Sequence, residues 1–147
     1  MNKYNKKSSF EHFGTVQKNP HWSWSAISED MKLVAVTLWK DQIKYNDKGK
    51  PEWNTFGLPM DQNNELWRWH YGNRERIKHL KYSLEKLNGL FRVVIAVAKD
   101  IHAFPRKGKD FYPWEGIWMK IVELNEETGE CRAVFHSRDN SSHVAKV

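Results

Sequence analysis

Apolar and polar positions along the chain predict a sheet with one helix laid against it. Residues 22–27 alternate aromatic and small side chains, Ser28-Glu29-Asp30 supplies a turn, and residues 32–39 resume an extended apolar pattern. Together they read as a β-hairpin. Residues 46–64 hold Asp47, Gly49, Pro51, Gly57 and Pro59, a density of breakers that predicts a long loop without regular structure. A helix follows. Gly72-Asn73 opens it, Ile77, Leu80, Leu84 and Leu87 form its apolar stripe, and Asn88-Gly89 closes it. Residues 91–98 are apolar at seven of eight positions and rich in β-branched side chains. Such a run predicts a strand buried on both faces, in the middle of the sheet. After a breaker-rich stretch over 104–116, residues 117–124 and 130–135 alternate on either side of Asn125-Glu126-Glu127-Thr128-Gly129 and predict a second hairpin.

The order of hairpin, long loop, helix, central strand, loop and hairpin predicts an α+β fold. It suits a small mixed sheet or a partly open β-barrel with one main helix. The 147 residues fit one domain. Residues 11–136 are expected to form it, with flexible tails at 1–10 and 137–147.

Composition narrows the class. Apolar residues make up 39% of the chain and aromatic ones 14%, including eight Trp, which supplies a core despite a mean hydropathy of −0.80. No run approaches the roughly 18 apolar residues that span a bilayer, and the Lys-rich start has no hydrophobic signal core. The single Cys131 excludes an intramolecular disulfide. A cytoplasmic protein with no membrane partner is expected. The net charge of +6 is unevenly placed: residues 66–109 carry eleven Lys or Arg against Glu75, Glu85 and Asp100, a local +8, while the remainder sums to −2. A basic segment of this kind is either a solvated helix face or an anion-binding surface.

Four groups of residues carry candidate chemistry. Arg74 and Arg76 stand in the first turn of the helix, where the dipole disfavours cations, so either an anion held jointly by the helix end and the two guanidiniums explains them, or Glu75 neutralises two good helix formers. Leu66-Trp67-Arg68-Trp69-His70-Tyr71 interleaves aromatic faces with charge, as base stacking beside phosphate contacts requires. The alternative is that Trp67 and Trp69 pack inward and anchor the loop. Trp22 and Trp24 have period-two spacing and share a strand face, where Trp39 of the partner strand would complete either an aromatic cage or an ordinary core. Lys99 and Asp100 end the central strand, with Arg106, Lys107 and then Trp114 close behind. Asp100 there reads a base edge, serves as a catalytic carboxylate or caps a turn. No glycine-rich phosphate loop, nucleophile elbow or zincin His-Glu pairing is present, and the seven His form no ligand cluster. The sequence therefore assigns no catalytic residue, metal or cofactor.

At Asn19-Pro20-His21-Trp22-Ser23-Trp24-Ser25, Leu38-Trp39-Lys40-Asp41, Gly72-Asn73-Arg74-Glu75-Arg76-Ile77 and residues 91–100, the chain resembles a group of short, stand-alone, uncharacterised bacterial proteins. The likeness covers roughly residues 19–135. At the level of architecture, the strand-rich layout with one helix and Trp-lined positions resembles the PUA-like superfamily, whose EVE, ASCH and YTH branches are small barrels, several of them binding RNA or modified bases. That resemblance implies a base pocket.

The reading that follows is a nucleic-acid binding module. Arg68, Arg74, Arg76, Lys99, Arg106 and Lys107 would meet phosphates. Trp22, Trp24, Trp39, Trp67, Trp69, Trp114 and Asp100 would meet a base, modified or unpaired. The alternatives are a small-molecule or protein-partner domain with a merely solvated basic segment, and a hydrolase or nuclease of unrecognised type.

Overall fold

A computed structural model of the chain describes residues 3–19, 22–57, 71–102 and 107–136. The expected C-terminal tail at 137–147 lies outside the described residues.

The molecule is an α+β protein built on one open, mixed, eight-stranded sheet. Its strands are β1 (Thr15–Val16), β2 (Ser25–Ser28), β3 (Val34–Trp39), β4 (Ile43–Tyr45), β5 (Pro51–Asn54), β6 (Leu90–Ala98), β7 (Gly108–Leu124) and β8 (Cys131–His136). Across the sheet they run β1-β2-β3-β6-β7-β8-β5-β4. Every neighbouring pair is antiparallel except β3 and β6, which are parallel with Val36 opposite Val93. Among the described residues, two α-helices, α1 (Lys6–His12) and α2 (Tyr71–Lys86), join the sheet.

The strand expected at the centre is β6, and its alternation divides the core. Phe91, Val93 and Ile95 point to one face, where they pack with Val34, Val36, Leu38, Trp53, Met119 and Leu80 of α2. Val94 points to the other and meets Ala26, Ala35 and Phe10 of α1. Both faces of the strand are dry because a helix covers each. Both expected hairpins are present. Ala26 of β2 pairs with Ala35 of β3, and Ile121 of β7 pairs with Ala133 of β8. At the end of α2, Asn88 and Gly89 adopt φ of 59° and 75°. There the N–H groups of Leu87 and Gly89 both donate to the carbonyl of Ser83. This closes the helix at the expected dipeptide.

Four expectations are corrected. The N-terminal residues assigned to a flexible tail include α1, opened by a reciprocal cap in which Asn5 Oδ1 accepts from Ser8 N and Ser8 Oγ accepts from Asn5 N. Phe10 is fully buried and holds this helix down. The loop assigned to 46–64 contains β5, which starts at Pro51 and pairs with β4 and β8. A first strand position tolerates the missing N–H of proline, and Trp53, 1% exposed, supplies the burial that fixes the strand. The breaker-rich stretch at 104–116 is, from Gly108 onward, the first half of β7. Buried Pro113 is accommodated opposite Val94, where the register between β6 and β7 shifts. In α2, Leu84 is 42% exposed and Ser83 occupies the core side, its hydroxyl donating to the Leu90 carbonyl.

Replacing Phe10 by Ala tests whether α1 belongs to the core. The cavity left behind should cost about 3–5 kcal/mol of unfolding free energy, read from urea denaturation. A change below about 1 kcal/mol would mean that α1 contributes little to the fold.

Candidate nucleic-acid interface

The first turn of α2 presses on the chain that leads into β2. Gly72 permits this: a Cβ there would meet the Trp22 carbonyl oxygen and, at 2.5 Å, Trp24 Cδ1. Beneath it, the fully buried Asn73 donates from Nδ2 to the Thr128 carbonyl at 2.9 Å and accepts from Arg76 Nη2 at 2.7 Å. The Arg76 guanidinium lies over the rings of Trp24, at 5.0 Å, and Trp53, at 5.7 Å. Burial lowers its pKa to about 10, so it remains charged at neutral pH. Burial also pushes the Cys131 thiol up to about 12, which makes it a poor nucleophile. Arg76 is therefore enclosed among Asn73 and two indoles. Arg74, by contrast, stands at the surface side of the same turn and donates from Nη1 to the Glu127 carbonyl at 3.0 Å.

Above this clamp the surface is aromatic and basic. Tyr71 is 73% exposed, and its ring lies 5.6 Å from that of Trp22. Glu75 is hydrogen-bonded to Ser23 and flanked by Lys18, Lys78 and Lys6; desolvation raises its pKa above the usual carboxylate range. Lys18 and Lys78 are exposed beside it. One turn further on, His79 Nδ1 lies 2.6 Å from Ser25 Oγ. A neutral ring accepts the serine proton there, and burial, with Lys78 nearby, lowers the His79 pKa to about 4. The Tyr82 hydroxyl then donates to the Met31 carbonyl. A continuous seam thus runs between α2 and the β2–β3 hairpin.

Strand direction brings further candidates to the same end. Parallel pairing places Trp39 of β3 opposite Ala96 of β6. The Thr37 N–H donates to the Trp24 carbonyl, which sets the start of β2 beside the end of β3. Beyond β6, the Lys99 N–H donates to the Lys107 carbonyl at 2.9 Å, and both side chains are exposed. The ends of β3 and β6 and the starts of β2, β7 and α2 therefore gather Trp22, Trp24, Trp39, Tyr71, Lys99 and Lys107.

Other expectations fare differently. Trp22 and Trp24 precede β2 rather than lying on one of its faces. Asp100 is exposed and its Oδ1 accepts from His102 N, so it caps a turn. Trp114 is half-buried against the main core. Trp67, Arg68, Trp69 and Arg106 lie outside the described residues. Tyr71 closes the aromatic segment that the sequence singled out, whereas Lys18 and Lys78 were not singled out. The available signal was Gly72, since a glycine at a helix start beside aromatics marks close approach.

The fold and this site define the chain as an α+β protein with an aromatic, basic end to its sheet. Comparison with protein families, with curated proteins and with solved structures found no match to it. Among the described residues, no helix is long and apolar enough to cross a membrane, and no three His, Cys, Asp or Glu side chains gather to hold a metal ion.

Two outcomes follow from this geometry. Gly72→Ala should cost about 1–3 kcal/mol by forcing α2 away from the Trp22 carbonyl and the Trp24 indole, and should shift the tryptophan emission of the folded protein. An unchanged melting temperature and spectrum would show that the contact can relax freely. For His79, the folded value near 4 lies below the ordinary 6.5. The unfolded chain thus takes up the proton first as the pH falls. The stabilisation is complete above about pH 6.5 and is lost progressively toward pH 4, on the order of 3 kcal/mol. Urea titrations at pH 7 and pH 4.5 should show this loss, and His79→Gln should remove it.

Proposed function

We propose that the protein is a nucleic-acid binding module, PUA-like in architecture, that receives an unpaired or modified base at the end of its sheet. The observation that carries the reading is that the Trp22–Tyr71 aromatic pair, Tyr71 largely exposed, and the exposed Lys18, Lys99 and Lys107 lie at this one end of the sheet, with the exposed Lys78 two turns along α2. An aromatic ring beside several ammonium groups suits a base that stacks while its phosphates are neutralised. Flat, sequence-tolerant stacking also fits an Asp100 whose carboxylate is engaged with its own turn. Arg76 contributes by holding Trp24 and Asn73 in place beneath this surface. The buried, free Cys131 supports a reducing, cytoplasmic setting.

Titration with a short single-stranded oligonucleotide at low salt should quench tryptophan fluorescence saturably. Trp22→Ala and Tyr71→Ala should each weaken binding by about 1–3 kcal/mol. Lys99→Ala combined with Lys107→Ala should flatten the dependence of log affinity on log salt by about 1.4, the value for two phosphates on a single strand. Salt-independent affinity, or affinity untouched by any of these changes, would overturn the reading.

A further inference from the structure

Both ends of the seam between α2 and the β2–β3 hairpin are basic and aromatic. At the end opposite Tyr71, a cleft of about 190 Å³ opens between Lys32 of the hairpin turn, Lys86, Leu87 and Asn88 at the close of α2, Leu90, and Trp118 of β7. Lys86 alone would be an ordinary cation at a helix C-terminus, where it complements the dipole. Lys32 comes from a different element and faces the same space. The nearby acid Asp30 is turned into its own loop, accepting from Ser28 Oγ and from Lys32 N. Trp118 forms a wall of the cleft, and the Arg92 guanidinium sits 4.8 Å from its ring centre, held between it and Phe13 at 4.4 Å. Trp118 and Arg92 are register partners, so the indole stacks on this cation on the α1 side of the sheet and lines the cleft from that side. The Ser83 carbonyl is already satisfied by two N–H donors, which tempers the negative end of the helix.

We infer that this cleft is a second contact for the same strand, so that the protein takes single-stranded nucleic acid along the seam from Trp22 and Tyr71 to Lys32, Lys86 and Trp118. The inference rests on the nucleic-acid reading above. Its geometry is set by α2: the fifteen steps from Tyr71 to Lys86 span about 22 Å at 1.5 Å per residue. That length lies within reach of the roughly four or more nucleotides that a small binding fold accommodates. Along the seam, the exposed Lys78 offers a cation between the two ends.

The test is a length series of oligothymidylates and oligouridylates from two to ten nucleotides, titrated at low salt into the intact protein and into Lys32→Ala/Lys86→Ala. Both lysines are exposed, so the variant should fold normally, which its melting curve verifies. Affinity should climb until about four to six nucleotides and then level. The double variant should weaken the ten-mer by about fivefold or more while changing the dimer by less than about twofold. If the dimer binds as tightly as the ten-mer, or the variant leaves the ten-mer unchanged, the second contact is wrong and the module reading stands. If no oligonucleotide of any length binds, both fall.

Discussion

A strand that is apolar on both faces needs cover on both, and β6 imposes that requirement on the rest of the molecule. Phe91, Val93 and Ile95 need a layer over one face of the sheet, which α2 supplies through Leu80. Val94 needs one over the other, which α1 supplies through Phe10. Leaving either side wet would forfeit about 1.5–3 kcal/mol for each large side chain exposed. The position of α2 is therefore dictated by the core. Its N-terminus is then carried onto the Trp22–Trp24 segment, and the aromatic surface arises where packing already had to bring these elements together.

The clamp at that contact joins energetics to shape. Arg76 is a buried cation whose guanidinium is stacked on two indoles and hydrogen-bonded to Asn73, which in turn holds the β7–β8 turn through Thr128. Gly129 has to lack a side chain for Asn73 to fit, since a Cβ there would meet the amide, with Nδ2 at 2.8 Å. Removing one member of such a network costs more than the bond itself, because the remaining polar groups are left desolvated. The surface that carries Tyr71 and Arg74 is thereby rigid at its base, which lowers the ordering cost of any ligand received on it.

Legibility in the sequence followed the physics of each element. The strand β6, the helix α2 and both outer hairpins were readable because their burial is written as local periodicity and bounded by turn residues. The helix α1 was not, because one aromatic, Phe10, does the anchoring, and a single buried residue makes no period. The strand β5 was hidden for the opposite reason: Pro51 and Gly49 signalled interruption, while Trp53, the residue that decides the matter, is paired by β8, nearly eighty residues away. In the site, Trp22 and Trp24 were singled out in the sequence, but neither their place ahead of β2 nor the enclosure of Arg76 was legible. A guanidinium's burial depends on Asn73, Trp24 and Trp53 meeting in space, and spacing along the chain carries no trace of that. Trp118 and Lys32 likewise are joined only by the folded sheet.

Among the described residues the open sheet ends in two border strands, and their lengths matter for how the protein behaves among copies of itself. The border strand β1 has two residues and β4 has three, whereas the interior strands β6 and β7 have nine and seventeen. A second chain that tried to extend the sheet would find very few unpaired backbone groups to grip. At β4 it would meet the exposed Lys44 as well. Truncated, charged borders of this kind discourage edge-to-edge aggregation. A concentrated population can thus keep a long, strongly apolar central strand without seeding fibrils from its rims.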